Sequence, residues 1–364
     1  MHLLPQNRGV NAVTDTLSST GIDARERLWL PLAGLAAAAA VLSLIDIAVG
    51  SVRIPLAAVW QTLAGSPPRE EWGTIVHIFR LPKLLTTILA GAGLASAGLI
   101  LQSMFRNPLA GPDSLGIGAG ASIGVALLMF MGGTAGSSST LIGSLPSLGY
   151  LLLVIAASLG AGAILIIILF IARRIEQVVT VLIMGILVGY LASSIVSLLV
   201  YFGAPQKVQM YLAWTYGSFG GVTWKEIPWF AGAVISGFAL ALCDTKALNA
   251  FLVGERFAAT IGIRVSAART RLLLASAVLA GGVTAFCGPI AFLGIAAPHA
   301  ARLLTRSAEH RVLLPVSALS GICFALLADI LSSLPGKGML PVNPLLALIG
   351  APLIISLFLR KTEP

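Results

Sequence analysis

Residues 148–171 have the sequence LGYLLLVIAASLGAGAILIIILFI, an uninterrupted run with no charged side chain. A helix needs roughly 20 apolar residues to cross the hydrocarbon core of a bilayer. Similar apolar runs recur along the whole chain, and they predict an all-α polytopic membrane protein with about ten transmembrane helices. The runs lie at 28–49, 82–105, 114–132, 148–171, 178–202, 227–243, 268–287, 289–304, 312–333 and 341–359.

The composition of the 364-residue chain excludes an ordinary soluble protein. Hydrophobic residues make up 57% of it and charged residues only 10%, whereas soluble domains carry about 25% charged residues. The net charge of +9 does not indicate nucleic-acid binding, because the basic residues lie between the apolar runs. With the N-terminus in the cytoplasm, sixteen of the 23 Lys and Arg residues fall on the inner side. This bias predicts that both termini are cytoplasmic.

The chain divides into an arm and one membrane domain. Residues 1–27 are polar and mixed in charge, which is typical of a flexible cytoplasmic N-terminal arm. The first apolar run is too long for a signal peptide, and no small-residue cleavage site follows it. Residues 28–360 are therefore predicted to form a single ten-helix transmembrane domain. Within it, residues 247–263 form a short helix-like segment on the cytoplasmic side.

Two short segments resemble each other. Gly111-Pro-Asp-Ser-Leu-Gly-Ile117 and Gly288-Pro-Ile-Ala-Phe-Leu-Gly-Ile295 each follow a helix rich in Gly and Ala. The predicted topology places the first segment inside and the second outside. An inverted repeat, as found in many transporters, gives this relation, and chance similarity is the alternative. The second segment opens the short eighth run, which is predicted to be tilted or only partly embedded.

Catalytic and cofactor motifs are missing from the sequence. Gly336-Lys337 is followed by Gly, so there is no nucleotide-binding P-loop, and no zinc-protease, serine-hydrolase or Cys-x-x-Cys motif occurs. We therefore expect that the chain is not an enzyme and binds no metal or cofactor itself. The three cysteines, Cys243, Cys287 and Cys323, are interpreted as small apolar residues.

Few charges interrupt the apolar runs. Asp46 and Asp329 are the main ones, and both are predicted to lie near the outer ends of their helices. Proton- or sodium-coupled transporters usually place ionisable groups near the membrane midplane. Their absence here indicates that uphill transport would draw its energy from a separate subunit. For Asp329 we favour a helix-packing or dipole contact.

Four stretches carry a family resemblance. They are RLPK at 80–83 with QSMFRNPLAGPDSLG at 102–116, LNAFLVGE at 248–255, CGPIAFLGIAAPHAAR at 287–302, and LPVN at 340–343 with LIGAP at 348–352. Together they resemble the permease family of ABC importers for ferric siderophores, haem and cobalamin, in the family's order and near its spacing, from about residue 50 to 360.

The resemblance implies a function and a set of partners. It implies the transmembrane permease of an ATP-driven importer in the inner (cytoplasmic) membrane of a bacterium, working by alternating access. Two permease subunits, as a homodimer or a heterodimer with a paralogue, would join two ABC ATPase subunits that bind ATP and Mg²⁺. A periplasmic or surface-anchored binding protein would dock above, and no nucleic acid is involved. An iron chelate is favoured as cargo only because that group is the largest in the family.

The resemblance also assigns the cytoplasmic segment 247–263. In the family this segment is the coupling helix contacted by the ATPase, and an amphipathic helix between spans can insert into a partner's groove. A solvated loop is the alternative. The residues implied in ATPase coupling are Leu248, Gly254, Glu255, Arg256, Ala259 and Gly262.

Arg80, Lys83 and Lys337 are basic residues predicted on the outer side, against the positive-inside trend. Such charge suggests an acidic partner, and the resemblance implies that these residues receive glutamates of the binding protein. Lys83 stands where the family more often has Arg, so the charge is kept but the bidentate fork is lost. Interfacial anchoring is the alternative.

Three further predictions concern the transport path. Asn107 and Leu109, in the tight loop after the second run, match gate residues of the family, and a helix stop at Pro108 is the alternative. The serines of the fifth run either line the path or pack helices. They are Ser193, Ser194 and Ser197. His299 is interpreted as a packing residue.

Two other classes of function stay open from the sequence. An ion-coupled secondary transporter predicts uptake that an uncoupler abolishes while ATP is high, with no co-purifying ATPase. A non-transporting assembly subunit predicts no substrate dependence in any transport assay.

Overall fold

The computed structural model describes residues 29–131, 146–175, 177–334 and 340–360, and all regular structure in these ranges is helical. We number the helices α1 (Trp29–Ala48), α2 (Leu56–Leu63), α3 (Glu70–Phe105), α4 (Ile117–Met131), α5 (Pro146–Arg174), α6 (Val178–Tyr201), α7 (Pro205–Thr215), α8 (Ile227–Cys243), α9 (Thr245–Val253), α10 (Glu255–Thr260), α11 (Val265–Cys287), α12 (Leu293–Thr305), α13 (His310–Ser333) and α14 (Val342–Arg360).

Each of the ten apolar runs corresponds to a helix, so the prediction of an all-α polytopic membrane protein is confirmed. Among the described residues, six helices are long and apolar enough to cross a membrane by themselves. A seventh span results if α8 and α9, which meet at 58°, are counted together. The apolar stretches in α4 and α14 are shorter, and α12 has only 13 residues. The ten predicted runs therefore correspond to helices of unequal length.

The helix α3 is the central element of the bundle. It runs for 36 residues and includes a π-helical stretch at Ile75–Arg80. In its apolar 18-residue stretch, 78% of the residues are buried inside the protein. Small residues let its neighbours approach closely. A Cβ on Gly91 would lie 2.5 Å from the carbonyl oxygen of Gly321 in α13, and a Cβ on Gly98 would lie 1.7 Å from that of Gly294 in α12. Both crossings therefore require glycine.

The two similar segments, 111–117 and 288–295, pack against each other. Gly111 faces the side chain of Ile295, and Pro112 lies against Gly294. The other end of the second segment, Gly288, lies instead against Trp214 and Gly217, and the placement of the two segments on opposite sides of the membrane stays a prediction. Gly294 also lies against Leu94, and Gly98 faces it from roughly 10 Å inside the Phe105 end of α3. Both segments enter the bundle before a short helix begins, and they meet there.

A smaller apolar cluster covers the predicted outer end of α3. Ile47 and Ile54 pack with Val59 of α2 and with Val76 of α3, and all four are buried. This cluster brings the end of α1 against the π-helical stretch. It thereby places Asp46 beside the basic residues Arg80 and Lys83.

Candidate functional site

The predicted coupling segment folds as two short helices, α9 and α10, with Gly254 between them. Gly254 has φ +146°, a conformation that side-chain-bearing residues rarely adopt, so the sharp reversal depends on glycine. Gly262, with φ +85°, follows α10. Glu255 occupies the first turn of α10, where a carboxylate is favoured by the helix dipole. The segment is therefore helical, as predicted, and has a fixed bend.

Two ion pairs fasten this bent segment to the start of α11. Glu255 accepts hydrogen bonds from Arg269 at 2.7 and 2.8 Å, and Arg269 also donates to the carbonyl of Ile175 at 2.8 Å. Asp244 accepts bonds of 2.6 and 2.7 Å from Arg271. Bidentate pairs of this kind fix orientation as well as charge. Glu255 thus holds the segment in place through its own chain.

Sequence reasoning missed both arginines of these pairs. Arg269 and Arg271 were counted only toward the charge bias between the two membrane sides. Their positions two residues apart near the start of an apolar run are the available signal, because such side chains point toward different neighbours on a helix. Neither their partners nor their burial can be read from that spacing.

The exposed surface of the α9–α10 bend is apolar and carries one basic side chain. Val253, Phe257 and Ile261 are 64%, 44% and 54% exposed, and Arg256 is exposed beside them. A cleft of about 780 Å³ lies between this surface, the end of α3 and the start of α6. Arg106 and Gln177 also line it. The surface thus offers a groove with apolar walls and two arginines.

The six residues predicted to couple to the ATPase fall into different environments. Arg256, Ala259 and Gly262 are exposed on the bend, and Glu255 and Gly254 are partly buried. Leu248 is fully buried against the protein's own core, so it cannot touch a partner directly in this arrangement, and its role in coupling stays a prediction. It lies on the inward face of α9, where it anchors the element instead.

The predicted gate loop is a compact turn. Asn107 accepts a hydrogen bond from the backbone N–H of Leu109 at 2.9 Å, and its own carbonyl accepts one from Ala110 at 3.1 Å. Arg106 ends α3 in the left-handed conformation. Leu109 is 48% exposed. Asn107 thus shapes the loop and Leu109 is its free apolar tip, and a gating role for them stays a prediction.

Two of the three predicted docking cations already have partners within the chain. Arg80 is buried and donates to the carbonyls of Ile47 and Val52. Lys83 pairs with Asp329 at 2.9 Å and is only 13% exposed. Their role in docking stays a prediction, and Lys337 lies outside the described residues.

The environment of Asp329 agrees with the packing contact favoured from the sequence. Its side chain is 2% exposed and its partner Lys83 lies on a different helix. Asp46 lies close enough to interact with the same carboxylate. A cavity of about 350 Å³ adjoins Lys83 and Asp329 from the side of Tyr216 and Ser332. The four charged groups, Arg80 included, form one cluster at the predicted outer end.

The three serines of α6 lie on a face that this single chain leaves uncovered. Ser193, Ser194 and Ser197 are exposed, as are their neighbours Tyr190 and Leu191. Ser194 and Ser197 donate to the backbone carbonyls four residues earlier, each at 2.9 Å. Their hydroxyl hydrogens are thus satisfied within the helix, which leaves a smooth, weakly polar surface.

His299 and the cysteines take ordinary positions in the bundle. His299 is partly buried on α12, near Arg302, which donates to the side chain of Gln102 on α3. Cys287 and Cys323 are buried, and Cys243 is exposed at the end of α8. Among the described residues, no group of three or more His, Cys, Asp or Glu side chains could hold a metal ion.

Both the sequence and the fold of the chain are similar to those of known proteins. Residues 38–360 match the model of the FecCD transport family. The haemin transport system permease protein HmuU of Yersinia pestis is 33% identical over 89% of this chain and 93% of its own length. The vitamin B12 import system permease protein BtuC of Salmonella typhi is 34% identical over 78% of this chain and 83% of its own.

One solved structure has a similar fold. It is described as a metal-chelate type ABC transporter in an inward-facing conformation. It aligns with a TM-score of 0.76 at 27% identity and covers 91% of this chain and 99% of the other. The agreement extends over nearly the whole of both chains.

Proposed function

Because the chain belongs to the FecCD transport family, we propose that it is the transmembrane permease subunit of an ATP-driven importer for a bulky metal chelate. The bent α9–α10 element carries this proposal. The ion pair between Glu255 and Arg269 fixes this element, whereas its apolar residues Phe257 and Ile261 are exposed. An exposed apolar patch rimmed by charge is typical of a protein interaction site.

The partner at this surface is proposed to be an ABC ATPase. Two such subunits would bind ATP and Mg²⁺ and hydrolyse ATP, and this chain would supply only the path. Exposed Arg256 and the arginine-lined cleft of about 780 Å³ suit an acidic or polar insertion from the partner. Movement of the bend would then open the path alternately to either side by rigid-body rocking of helices.

The remaining assembly follows from the exposed surfaces. A second permease copy, or a paralogue, is proposed to cover the uncovered face of α6 and to enclose a path between the two subunits. A periplasmic or surface-anchored binding protein would dock at the outer ends of the helices. The subunit would lie in the inner membrane of a bacterium with both termini in the cytoplasm, as the charge bias supports.

The cargo is proposed to be an iron chelate, either a ferric siderophore or haem, with cobalamin as the alternative. The relatives named for haemin and for vitamin B12 are almost equally similar to this chain, so similarity does not choose between them. The serine face of α6 fits all three, because it is weakly polar and carries no charge at Ser193, Ser194 or Ser197. A weakly binding path would leave selection to the binding protein.

The decisive experiment is ATP-driven uptake in vesicles that contain this subunit with its co-purified ATPase and binding protein. The panel comprises ferric siderophores, haem and cobalamin. We expect uptake of one cargo, and loss of both uptake and ATPase association when Phe257 and Ile261 are replaced by Asp. The matched control is Phe257→Leu with Ile261→Val, which keeps the surface apolar and should keep both.

Other outcomes would reject parts of the proposal. Failure to recover any ATPase, with uptake abolished by an uncoupler while ATP is high, would identify an ion-coupled secondary transporter. A complete complex that transports nothing in any assay would identify an assembly subunit. An active ATPase with none of the three cargoes taken up would point to a different metal chelate.

A further inference from the structure

A buried hydrogen-bonded junction joins three helices next to the α9–α10 bend. It consists of Ser103 of α3, Asn249 of α9 and His310, the first residue of α13. Ser103 and His310 are fully buried and Asn249 is partly buried. The Asn249 Oδ1 lies 2.9 Å from the His310 backbone nitrogen and 2.6 Å from its Nδ1. The His310 Nε2 lies 2.6 Å from the Ser103 hydroxyl.

The chemistry of the groups fixes the direction of the two bonds to Asn249. A backbone N–H can only donate, so the Asn249 atom that faces it is the amide oxygen. The same oxygen accepts from Nδ1, which must therefore carry a hydrogen. In a neutral imidazole Nε2 is then an acceptor for the Ser103 hydroxyl. The single hydrogen of that hydroxyl is shared with the Leu99 carbonyl oxygen, which lies 2.8 Å away within α3. The junction is thus a chain in which Ser103 contacts His310 and His310 donates twice to Asn249.

This arrangement makes the start of α13 depend on α9. The residue that precedes α13, Glu309, makes no side-chain capping bond. The orphan N–H of the first turn is satisfied instead by Asn249, from a different helix. A displacement of α9 would break this bond unless α13 moved with it.

The helices α3 and α13 are also fastened to each other along their length. Lys83 and Asp329 form an ion pair at the predicted outer end, and Ser317 donates to the carbonyl of Ala95 at 3.2 Å. The backbones touch at Gly91 and Gly321, where no Cβ fits. Close-packed interfaces of this kind shift as units and not by gradual deformation.

We propose that α3 and α13 move as one rigid unit, and that the Ser103–His310–Asn249 junction is the joint through which α9 moves it. Asn249 and His310 are positioning residues in this scheme, since they touch neither ATP nor cargo. The unit spans from the junction to Arg80 and Lys83, so motion of the bend reaches the outer end without an intermediate element. This inference rests on the proposed function, in which the bend contacts an ATPase.

The test separates coupling from stability. Asn249→Ala removes the acceptor of both His310 bonds, whereas Asn249→Asp keeps a carboxylate oxygen in its place. In vesicles with the complete complex, we expect Asn249→Ala to lower cargo taken up per ATP hydrolysed at least fivefold. ATPase activity and ATPase association should stay within about twofold of the wild type. Asn249→Asp should restore most of the ratio.

A matched control and a milder variant complete the design. Ser276→Ala removes a buried hydroxyl on α11 that bonds to the carbonyl of Ala97 on α3, away from the junction, and it should leave the ratio unchanged. Ser103→Ala removes the bond to His310, together with a hydroxyl bond to the Leu99 carbonyl within α3, and should lower the ratio by a smaller factor. If Asn249→Ala yields no intact complex, Ser103→Ala decides the question.

Two results would overturn the inference. An unchanged ratio in Ser103→Ala and Asn249→Ala would mean that the junction transmits nothing. A parallel loss of uptake, ATPase activity and complex would mean that it only stabilises the fold. Absence of ATP-driven uptake by the wild type would be a different failure, because it would reject the proposed function before the junction is tested.

Discussion

At the residue scale, the two ion pairs that fasten the α9–α10 segment to α11 differ in the exposure of their arginine to water. Arg269 has a side chain that is only 7% exposed, whereas Arg271 is 50% exposed. A buried cation that loses its partner is strongly destabilising, but an exposed one is solvated by water. Removal of the Glu255 carboxylate should therefore destabilise the protein more than removal of the Asp244 carboxylate.

We expect Glu255→Ala to lower the free energy of unfolding by about 3 kcal/mol, because it leaves a buried guanidinium without its carboxylate. Asp244→Ala should cost about 1 kcal/mol, since Arg271 can turn to solvent. Denaturation of the purified subunit in mixed micelles with increasing SDS measures both. Equal losses in the two variants would mean that the burial of Arg269 does not govern this anchor.

The outer pair, Lys83 and Asp329, allows a sharper test. Asp329→Ala should destabilise by about 3 kcal/mol, because Lys83 is left charged in a nearly closed site. The double variant Lys83→Met with Asp329→Leu should recover most of that loss, since an apolar pair carries no desolvation cost. The same denaturation assay reads both. A double variant as unstable as the single one would indicate that the rest of the charged cluster, including Asp46, requires the pair.

The role of a residue was predictable from the sequence only where it belonged to a motif or was an isolated charge in an apolar stretch. Glu255 and Arg256 were found because they follow a glycine in an otherwise apolar stretch. His310 was not, because it reads as an ordinary residue between two apolar runs, and its partners Ser103 and Asn249 lie 207 and 61 positions away. Long-range pairs of this kind leave no local pattern. The partners of Arg80 and Lys83 within the chain were not predictable for the same reason.

At the scale of elements, helix crossings decide which glycines can be replaced. We expect Gly98→Ala to prevent correct folding, because its Cβ would lie 1.7 Å from the Gly294 carbonyl oxygen in a contact between two backbones. Gly162→Ala on α5 is the matched control, since no atom lies within 4 Å of the new Cβ. It should be neutral or stabilise by about 0.5 kcal/mol.

Expression in membranes and monodispersity in detergent distinguish these two variants. A well-folded Gly98→Ala protein would show that α3 and α12 can separate by more than an ångström without loss of structure. That would contradict the close packing inferred for the centre of the bundle.

Hydropathy located ten of the fourteen helices numbered here, but it missed short ones such as α2 and α7 and did not give the length of each crossing. The apolar runs for α4 and α12 resemble the others in composition, yet these helices have only 15 and 13 residues. The difference arises because Gly-Pro segments turn the chain inside the bundle, where other helices cover the backbone. Which turns lie inside is a property of packing, and the sequence alone did not show that the two similar segments touch each other.

At the scale of the whole molecule, the uncovered face of α6 must meet water, lipid or a second copy. We expect a cysteine at Ser194 to react with a water-soluble maleimide in the assembled complex, because the proposed path runs along this face. Cys243 is exposed and is first replaced by Ser; Cys287 and Cys323 are buried and are retained. Binding of nucleotide to the ATPase should change the rate of labelling, since alternating access opens and closes the path.

A cysteine at Ser236 on α8 is the control, because that serine is also exposed in the single chain and also donates to its own helix. It should stay unreactive if lipid covers it. Labelling at Ser236 but not at Ser194 would reverse the assignment of the two faces. Cross-linking of two copies through residue 194, without maleimide access, would place α6 in a closed contact between subunits and move the path elsewhere.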